Sequence, residues 1–265
     1  MDHQEPQFLE LGQGQKRRRI AYRFDRGSDE TSPVVVWLSG FMSDMTSTKV
    51  GALSDWAYVQ GYAMLRFDYS GHGLSEGSLL QAAVGDWLEE ATAMLALAGE
   101  RRLILVGSSL GGWIALLLAR ALATSGDTRL DGLVLIAPAW DMTEKLMWEK
   151  MSAKTRAKVE TEGVFYAPSN YDDPYPLTKI LIEEGRNHLL AEGDIEVAAP
   201  VRILQGMRDE DVPWQHALAL VELLKGDDVE LTLVKDGDHR LSGPEDLRRL
   251  EHTVGALIDR PSPAA

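Results

Sequence analysis

Short apolar runs alternate along the chain with segments patterned as helices. The runs are VVVWL (34–38), AMLRF (63–67), LILV (103–106), GLVLIA (132–137), VRILQ (201–205) and VELTLV (229–234). Strands that alternate with helices form crossover units, which make neighbouring strands parallel. Nearly continuous apolar strands are typical of a sheet covered on both faces. The pattern therefore predicts an α/β fold with a mostly parallel central sheet and helices on both of its faces.

The first part of the chain has a different pattern. The stretch FLELGQGQKRRRIAYRF (8–24) alternates polar and apolar residues on either side of Gly12-Gln13-Gly14, which predicts a β-hairpin. A basic run, Lys16 to Arg19, follows the glycines. We expect it to lie on an exposed edge strand, where its charges discourage pairing with another chain.

The segment 140–199 contains no predicted strand. It holds amphipathic helical pieces and a bend rich in Pro and Tyr. A connection of about 60 residues between consecutive strands is far longer than usual. We expect an inserted helical cap over the sheet edge at which the strands end, with residues 1–139 and 200–265 forming the core domain.

Bulky side chains are frequent in this predicted cap. They could fill the interior of the cap itself, or line a pocket for a hydrophobic acyl group, because Met and aromatic side chains adapt to such chains. The pocket candidates are Trp140, Met147, Trp148 and Tyr175.

Composition narrows the class of protein further. A chain of 265 residues that is 45% hydrophobic suits one large domain, or a domain with an insertion. Its net charge of −14 argues against nucleic acid as a partner, and the lack of cysteine excludes disulfides and thiol chemistry. No apolar run approaches the roughly 20 residues that span a membrane. The start, MDHQEPQF, resembles neither a secretory signal nor a transit peptide, so we expect a cytoplasmic protein.

The stretch LILVGSSLGGW (103–113) joins a buried strand to an apolar helix through a turn of Gly and Ser. It matches the spacing G-x-S-x-G only with Ser109 at the centre, because a centre at Ser108 would require glycine at Val106 and Leu110. This spacing is typical of a nucleophilic serine on a sharp strand-to-helix turn. The helix N-terminus also favours negative charge beside it. We interpret Ser109 as a nucleophile rather than a solvated serine in a plain turn.

A nucleophilic serine needs a general base. His239 comes just after the run VELTLV, within Lys-Asp-Gly-Asp-His. Because the carboxyl ends of parallel strands meet at one edge of a sheet, His239 is expected near Ser109. The chain order serine, acid, histidine is also the one that this architecture uses.

The base needs a carboxylate to orient it. The loop after VRILQ offers Asp209, with Asp211 as its local competitor, and Asp141 after GLVLIAPA is a more distant one. We favour Asp209 because Val212-Pro213 then begins the next helix cleanly.

Two backbone amides are predicted to stabilise the negative oxygen that forms during acyl transfer. One is the N–H of Leu110, which follows the nucleophile. The other is the N–H of Phe41 in the loop Ser39-Gly40-Phe41-Met42, where Gly40 lets the backbone turn inward.

The loop DYSGHGLS (68–75) has the spacing D-x-x-G-x-G-x-S. It lacks the lysine and the immediately following apolar helix of a phosphate-binding loop. We expect it to be a scaffold that braces the nucleophile turn.

Together these motifs resemble the α/β-hydrolase superfamily. A closer similarity is carried by GFMSDMTSTK (40–49), RFDYSGHGLSEG (66–77), LVGSSLGGW (105–113), GMRDEDVPW (206–214) and GDHRL (237–241). These stretches are similar to mitochondrial palmitoyl-protein thioesterases that also cleave mycophenolic acid acyl-glucuronide, and to their bacterial relatives. Ser39-Gly40 stands where many members of the superfamily have His-Gly. The resemblance implies a triad of Ser109, Asp209 and His239.

The expected activity is hydrolysis of esters or thioesters of hydrophobic acyl groups through an acyl-enzyme, without a cofactor or a metal. The substrate would be a small molecule, a lipid-acyl ester or thioester, or an S-acylated protein, and the enzyme would be a monomer or a homodimer. A lysophospholipase or C–C bond hydrolase would use the same triad. A non-catalytic receptor on the same fold is the alternative outside enzymes.

Overall fold

The computed structural model describes residues 5–168, 174–190, 193 and 195–260. An eight-stranded sheet forms the centre of the molecule. Its strands are β1 (Gln7–Leu11), β2 (Arg18–Asp25), β3 (Val34–Leu38), β4 (Ala63–Phe67), β5 (Leu103–Ser108), β6 (Leu130–Ile136), β9 (Val201–Gly206) and β10 (Val229–Val234). They lie side by side in the order β1-β2-β4-β3-β5-β6-β9-β10.

The sheet is mostly parallel. From β4 to β10 each neighbouring pair is parallel, whereas β2 is antiparallel to both β1 and β4. The predicted strands are confirmed, and β3, β4 and β10 have the predicted bounds. The predicted N-terminal hairpin is also confirmed as β1 and β2.

Seven α-helices accompany the sheet in the described residues. They are α1 (Thr48–Gln60), α2 (Val84–Leu95), α3 (Leu110–Ser125), α4 (Ala153–Glu162), α5 (Lys179–Gly185), α6 (Trp214–Leu223) and α7 (Pro244–Ile258). Short 3-10 turns occupy Gly14–Lys16, Ala96–Ala98 and Arg186–His188, and Met142–Trp148 is a π-helix.

Two hydrophobic cores lie on opposite faces of the sheet. Alternate residues of β3 show this, because Val36 belongs to one core and Val35 to the other. The first core is closed by α2, α3 and α6, which supply the buried rings of Trp87 and Trp113 among others. The second is closed by α1 and α7. Both faces are therefore covered, which explains the nearly continuous apolar strands.

The basic run is placed differently from the expectation. Arg18 lies on β2, which is paired on both sides, so the edge strand at this end of the sheet is β1. The Arg18 guanidinium is bound by Glu89, at 2.7 Å, and by the buried Glu90 of α2. The prediction of an exposed edge strand was wrong for Arg18, because α2 packs over β2 and supplies carboxylates.

The segment between β6 and β9 is not entirely helical. It contains the π-helix, α4 and α5, and also β7 (Val164–Ala167) paired antiparallel with β8 (Tyr175–Thr178). The prediction of no strand here was therefore wrong. Each strand has only four residues, and the second contains Pro176, which is rare inside strands, so neither gives a clear alternating pattern. In the part of the chain that the structure describes, no helix combines the length and apolarity needed to cross a membrane.

Candidate active site

Ser109 occupies a tight turn between β5 and α3. Its backbone has φ 55° and ψ −117°, a conformation that non-glycine residues rarely adopt. A Cβ at Gly107 would lie 2.2 Å from the carbonyl oxygen of Gly111, and one at Gly111 would lie 1.9 Å from that of Leu38. The two glycines of the motif are therefore required by close backbone contacts, and the turn that they permit presents Ser109 at the carboxyl edge of the sheet.

The structure brings Ser109, His239 and Asp209 into one hydrogen-bonded chain. Nε2 of His239 lies 3.1 Å from Oγ of Ser109, and Nδ1 of His239 lies 2.8 Å from Oδ2 of Asp209. An ionised carboxylate can only accept, so Nδ1 carries the proton and Nε2 is free to accept one. This tautomer is the one that a general base for the serine hydroxyl needs.

The carboxylate of Asp209 is fixed by four donors. Oδ1 accepts the backbone N–H groups of Asp211, at 3.0 Å, and Val212, at 2.8 Å. Oδ2 accepts from Nε2 of Gln205, at 3.0 Å, in addition to His239. The side chain is fully buried. Gln205 is a residue that the sequence analysis missed, because its role depends on a contact made inside the sheet.

The two competing acids take other positions. Asp141 is buried, and its Oδ1 accepts the N–H of Leu190 at 2.7 Å. Asp211 is exposed at the edge of the site. Together with Asp209 and His239 it forms a group whose potential metal-ligand atoms lie within 4.8 Å of one another. Since Nδ1 of His239 already donates to Asp209, this group is arranged as a hydrogen-bonded pair with a second carboxylate nearby.

The loops that carry the acid and the histidine are in direct contact. The N–H of Arg208 donates to the carbonyl of Gly237 at 2.9 Å. A Cβ at Gly206 would lie only 2.4 Å from that same carbonyl oxygen. The close approach of these two loops, just after β9 and β10 end, thus sets the distance between Asp209 and His239.

The loop that follows β3 approaches the nucleophile turn. A Cβ added at Gly40 would lie 3.4 Å from Cβ of Ser109. The ring of Phe41 packs against the rings of Trp87 and Tyr175, with centroids 6.0 and 5.9 Å away. The N–H of Leu110 is at the start of α3, where the first N–H groups have no partner within the helix.

The loop 68–75 braces the loop after β3, whereas we expected it to brace the nucleophile turn. Nε2 of His72 accepts the N–H of Met42 at 3.0 Å, and Oδ1 of Asp68 accepts that of Met45 at 2.7 Å. The sequence analysis missed these roles of His72 and Asp68. Burial lowers the pKa of His72 to about 4, so the ring is neutral and can accept. Burial also raises the pKa of Asp68, although two backbone amides donate to its carboxylate.

A cavity of about 750 Å³ opens beside Ser109 and His239. Most of its apolar wall comes from the segment between β6 and β9 and includes Met142, Leu146, Met147, Met151, Phe165 and Leu177. Trp37, Phe41, Met42 and Val212 of the core also line it.

Two of the four pocket candidates, Met147 and Tyr175, line this cavity. Among the residues that the structure describes, its lining does not include Trp140 or Trp148. Trp140 stacks on His216 with centroids 4.5 Å apart. Trp148 is covered by the guanidinium groups of Arg156 and Arg186, 5.2 and 5.0 Å from its centroid. The expectation was wrong for the two Trp residues because both rings are occupied by other partners.

The fold and this arrangement of loops at the sheet edge define an α/β-hydrolase. A family model described as Hydrolase_4, serine aminopeptidase S33, matches residues 29–178, and the chain belongs to this family. The resemblance drawn from the motifs is thereby confirmed.

Similar proteins are known from curated sequences and from solved structures. "Palmitoyl-protein thioesterase ABHD10, mitochondrial" of Mus musculus is 35% identical over 245 residues, which cover 91% of this chain and 79% of the relative. A structure of the mouse protein superimposes with a TM-score of 0.84 at 33% identity, covering 97% of this chain and 99% of the other. A putative hydrolase from Agrobacterium vitis S4 superimposes with a TM-score of 0.93 at 43% identity, covering 96% and 99%.

Proposed function

We propose that this chain is a serine hydrolase that cleaves carboxylic ester or thioester bonds of hydrophobic acyl groups through an acyl-enzyme on Ser109. The observation that carries the proposal is the hydrogen-bonded chain from Ser109 through His239 to the buried Asp209, beside a large cavity. The name of the mammalian relatives, palmitoyl-protein thioesterase, supports the same bond type.

The first half of the reaction forms the acyl-enzyme. Oγ of Ser109 attacks the carbonyl carbon while Nε2 of His239 takes the hydroxyl proton. The Asp209 carboxylate holds Nδ1–H and stabilises the imidazolium that forms. The tetrahedral intermediate then collapses, and the bond to the leaving alkoxide or thiolate breaks. That group receives the proton from Nε2.

The negative oxygen of the tetrahedral intermediate needs donors that are already in place. We assign the N–H groups of Phe41 and Leu110 to this role. The close approach of Gly40 to Ser109 and the position of Leu110 at a helix N-terminus support the assignment. The hydrogen bonds from the N–H of Met42 to His72 and from the N–H of Met45 to Asp68 fix the loop after β3, which carries Phe41.

Water completes the cycle. Nε2 of His239 removes a proton from a water molecule, which attacks the acyl carbon. As the second tetrahedral intermediate collapses, the bond to Oγ of Ser109 breaks and Oγ takes that proton from Nε2, which releases the carboxylic acid and restores the free enzyme. Apart from the substrate and this water molecule, these steps use only groups of the chain itself.

The segment 140–199 is assigned as a cap on the core formed by 1–139 and 200–265, and as the part that selects the acyl group. Its apolar side chains line the cavity beside Ser109. Burial of each methylene contributes about 0.8 kcal/mol. A chain of several carbons in this cavity would therefore be distinguished strongly from an acetyl group.

The substrate in this proposal is a small molecule or lipid-acyl ester or thioester, or an S-acylated protein. The monomer or homodimer state and the cytoplasmic location remain predictions, and the matched mammalian proteins are named as mitochondrial. Size-exclusion chromatography with light scattering and fractionation of the native host test these two points.

The proposed nucleophile is tested by comparing Ser109→Ala with Ser108→Ala. The first should lower kcat toward p-nitrophenyl esters by about 10⁴–10⁶-fold and abolish fluorophosphonate labelling, while thermal unfolding stays near that of the wild type. The second should keep most of the activity, because Ser108 is the last residue of β5. A fully active Ser109→Ala enzyme would exclude Ser109 as the nucleophile, and equal losses in both variants would remove the argument that the motif singles out Ser109 over Ser108.

A further inference from the structure

Lys49 lies beneath the loop that carries His239. It is the second residue of α1, and its side chain lines the cavity beside Ser109. Its Nζ donates a hydrogen bond to the carbonyl oxygen of Arg240, at 2.5 Å. Arg240 is the residue directly after His239, so the contact joins α1 to the backbone of the proposed base across 191 positions of sequence.

The backbone around Arg240 is held from two sides. Oδ1 of Asp238 accepts the N–H groups of Arg240 and Leu241, each at 3.0 Å. Lys49 binds the carbonyl group of Arg240, whereas Asp238 binds its N–H group. Oγ of Ser242 also donates to this carbonyl, at 3.0 Å. The peptide groups that follow His239 are therefore fixed in orientation by one carboxylate, one ammonium group and one hydroxyl.

Lys49 is surrounded by charges of both signs. The charged groups that act on it are Asp209, Asp238, Arg240 and Asp246. Arg249 lines a small cavity with Lys49, and the large cavity that Lys49 also lines carries Asp44, Lys150, Asp211 and His239. Apolar side chains of β6, β9 and β10 line the other side, including Ile136, Leu204 and Val234.

We propose that Lys49 is a positioning residue that holds His239 in register with Ser109 by binding the Arg240 carbonyl as an ammonium ion. This inference rests on the proposed function. Lys49 acts through the backbone and takes no part in proton transfer. Its contribution should appear in kcat, since small misplacements of a catalytic group can lower the rate by up to about 100-fold.

The role has a consequence for pH dependence. Burial lowers the pKa of Lys49 to about 8, although the carboxylates of Asp238, Asp209 and Asp246 favour its charged form and Arg240 opposes it. Below that pH the ammonium donates a charge-assisted hydrogen bond, and above it the neutral amine donates a weaker one. Activity should therefore fall as the pH rises through about 8, while the protein stays folded.

The test measures kcat and KM for a p-nitrophenyl ester from pH 6 to pH 10 in the wild type, Lys49→Met and Lys49→Arg. Lys49→Met should lower kcat about 10–100-fold at pH 7 with a smaller change in KM, and should no longer lose activity above pH 8. Lys49→Arg keeps a cation that stays charged over this whole pH range, so it should keep much of the activity at pH 7 and also lose the alkaline decline. Lys235 is an exposed lysine directly after β10, so Lys235→Met is the matched control and should show the wild-type profile.

The outcomes are separable. A wild-type rate that stays constant to pH 10, a Lys49→Met enzyme with wild-type kcat, or a Lys49→Arg enzyme with an unchanged alkaline decline would each overturn the proposal. Thermal unfolding at pH 7 and pH 9.5 is measured in parallel. If one variant does not fold, the other decides, and if neither folds, Lys49 is a structural residue and the proposal is overturned. Ser109→Ala is assayed beside them: an active Ser109→Ala enzyme rejects the proposed function, whereas an inactive one limits any failure to Lys49.

Discussion

At the scale of single residues, the two oxygens of the Asp209 carboxylate have different neighbours. Oδ1 accepts two backbone N–H groups, and Oδ2 accepts from His239 and Gln205. In Asp209→Asn the amide oxygen should stay with the backbone donors, so the NH₂ group would face Nδ1 of His239. Nδ1 would then have to accept, the proton would move to Nε2, and the base would be lost. We expect kcat to fall about 10³–10⁴-fold.

Two controls accompany this variant. Asp211→Asn should have a much smaller effect, because Asp211 contributes its backbone N–H to Asp209. Asp141→Asn should also be much milder in kcat, because that carboxylate binds Leu190. Steady-state kinetics with thermal unfolding of each variant make the comparison. If Asp141→Asn were the variant with the large loss in kcat, the acid would come from the loop after β6.

The sequence was informative about residues whose position follows from chain order. Ser109, Asp209 and His239 each come shortly after a strand of one parallel sheet, so a strand assignment places all three at the same edge. His72 and Lys49 gave no such signal. Their partners, Met42 and the Arg240 carbonyl, are backbone groups 30 and 191 positions away, and no local pattern encodes those contacts.

At the scale of elements, the π-helix Met142–Trp148 divides its side chains between two environments. Met147 faces the cavity, whereas the adjacent Trp148 is covered by two Arg side chains. Met147→Ala should enlarge the cavity and shift the preferred acyl chain to longer or bulkier groups. Each additional buried methylene would change kcat/KM about fourfold, since it contributes about 0.8 kcal/mol. The measurement is a series of p-nitrophenyl esters of graded length.

Trp148→Phe is the matched control, because it changes a neighbouring bulky residue of the same helix outside the cavity lining. Its chain-length profile should stay as in the wild type, and labelling of Ser109 by a small fluorophosphonate should be nearly normal in both variants. A preference for acetyl over octanoyl esters that neither substitution alters would mean that the cap does not select the acyl group.

Elements were predictable where the period was clear. Most strands of the central sheet are rich in apolar residues, and the predicted bounds of β3, β4 and β10 match the structure. The ribbon of β7 and β8 could not, because VFYA and YPLT are short, and each is held by only one partner strand. Its stability comes from tertiary packing, which a local pattern does not contain.

At the scale of the whole molecule, the buried His72 links the stability of the fold to pH. The pKa of His72 is lowered to about 4 by burial, and the side chain is only 4% exposed. In the unfolded chain a histidine has a pKa near 6.5. Between these values the unfolded state binds the proton and the native state does not. The contribution of neutral His72 to the free energy of unfolding is therefore complete above about pH 6.5 and is lost as the pH falls toward 4.

The size of the effect follows from the interval between the two pKa values. At pH 5 the lost stability amounts to about 2 kcal/mol, at 1.36 kcal/mol per pH unit below 6.5. Other buried groups also respond to pH: burial raises the pKa of Glu90 and Asp68, which acts in the opposite direction, and lowers that of His216 to about 4. The comparison must therefore isolate His72.

His72→Gln removes the titrating ring but keeps an amide that can accept the Met42 N–H. Urea unfolding at pH 7 and at pH 5 should show that the wild type loses about 2 kcal/mol more than His72→Gln over this range, because the two proteins share every other titrating group. Equal losses in the two proteins would mean that His72 is not held neutral by the fold, and the bond that we assign from Met42 to its Nε2 would then not persist in solution.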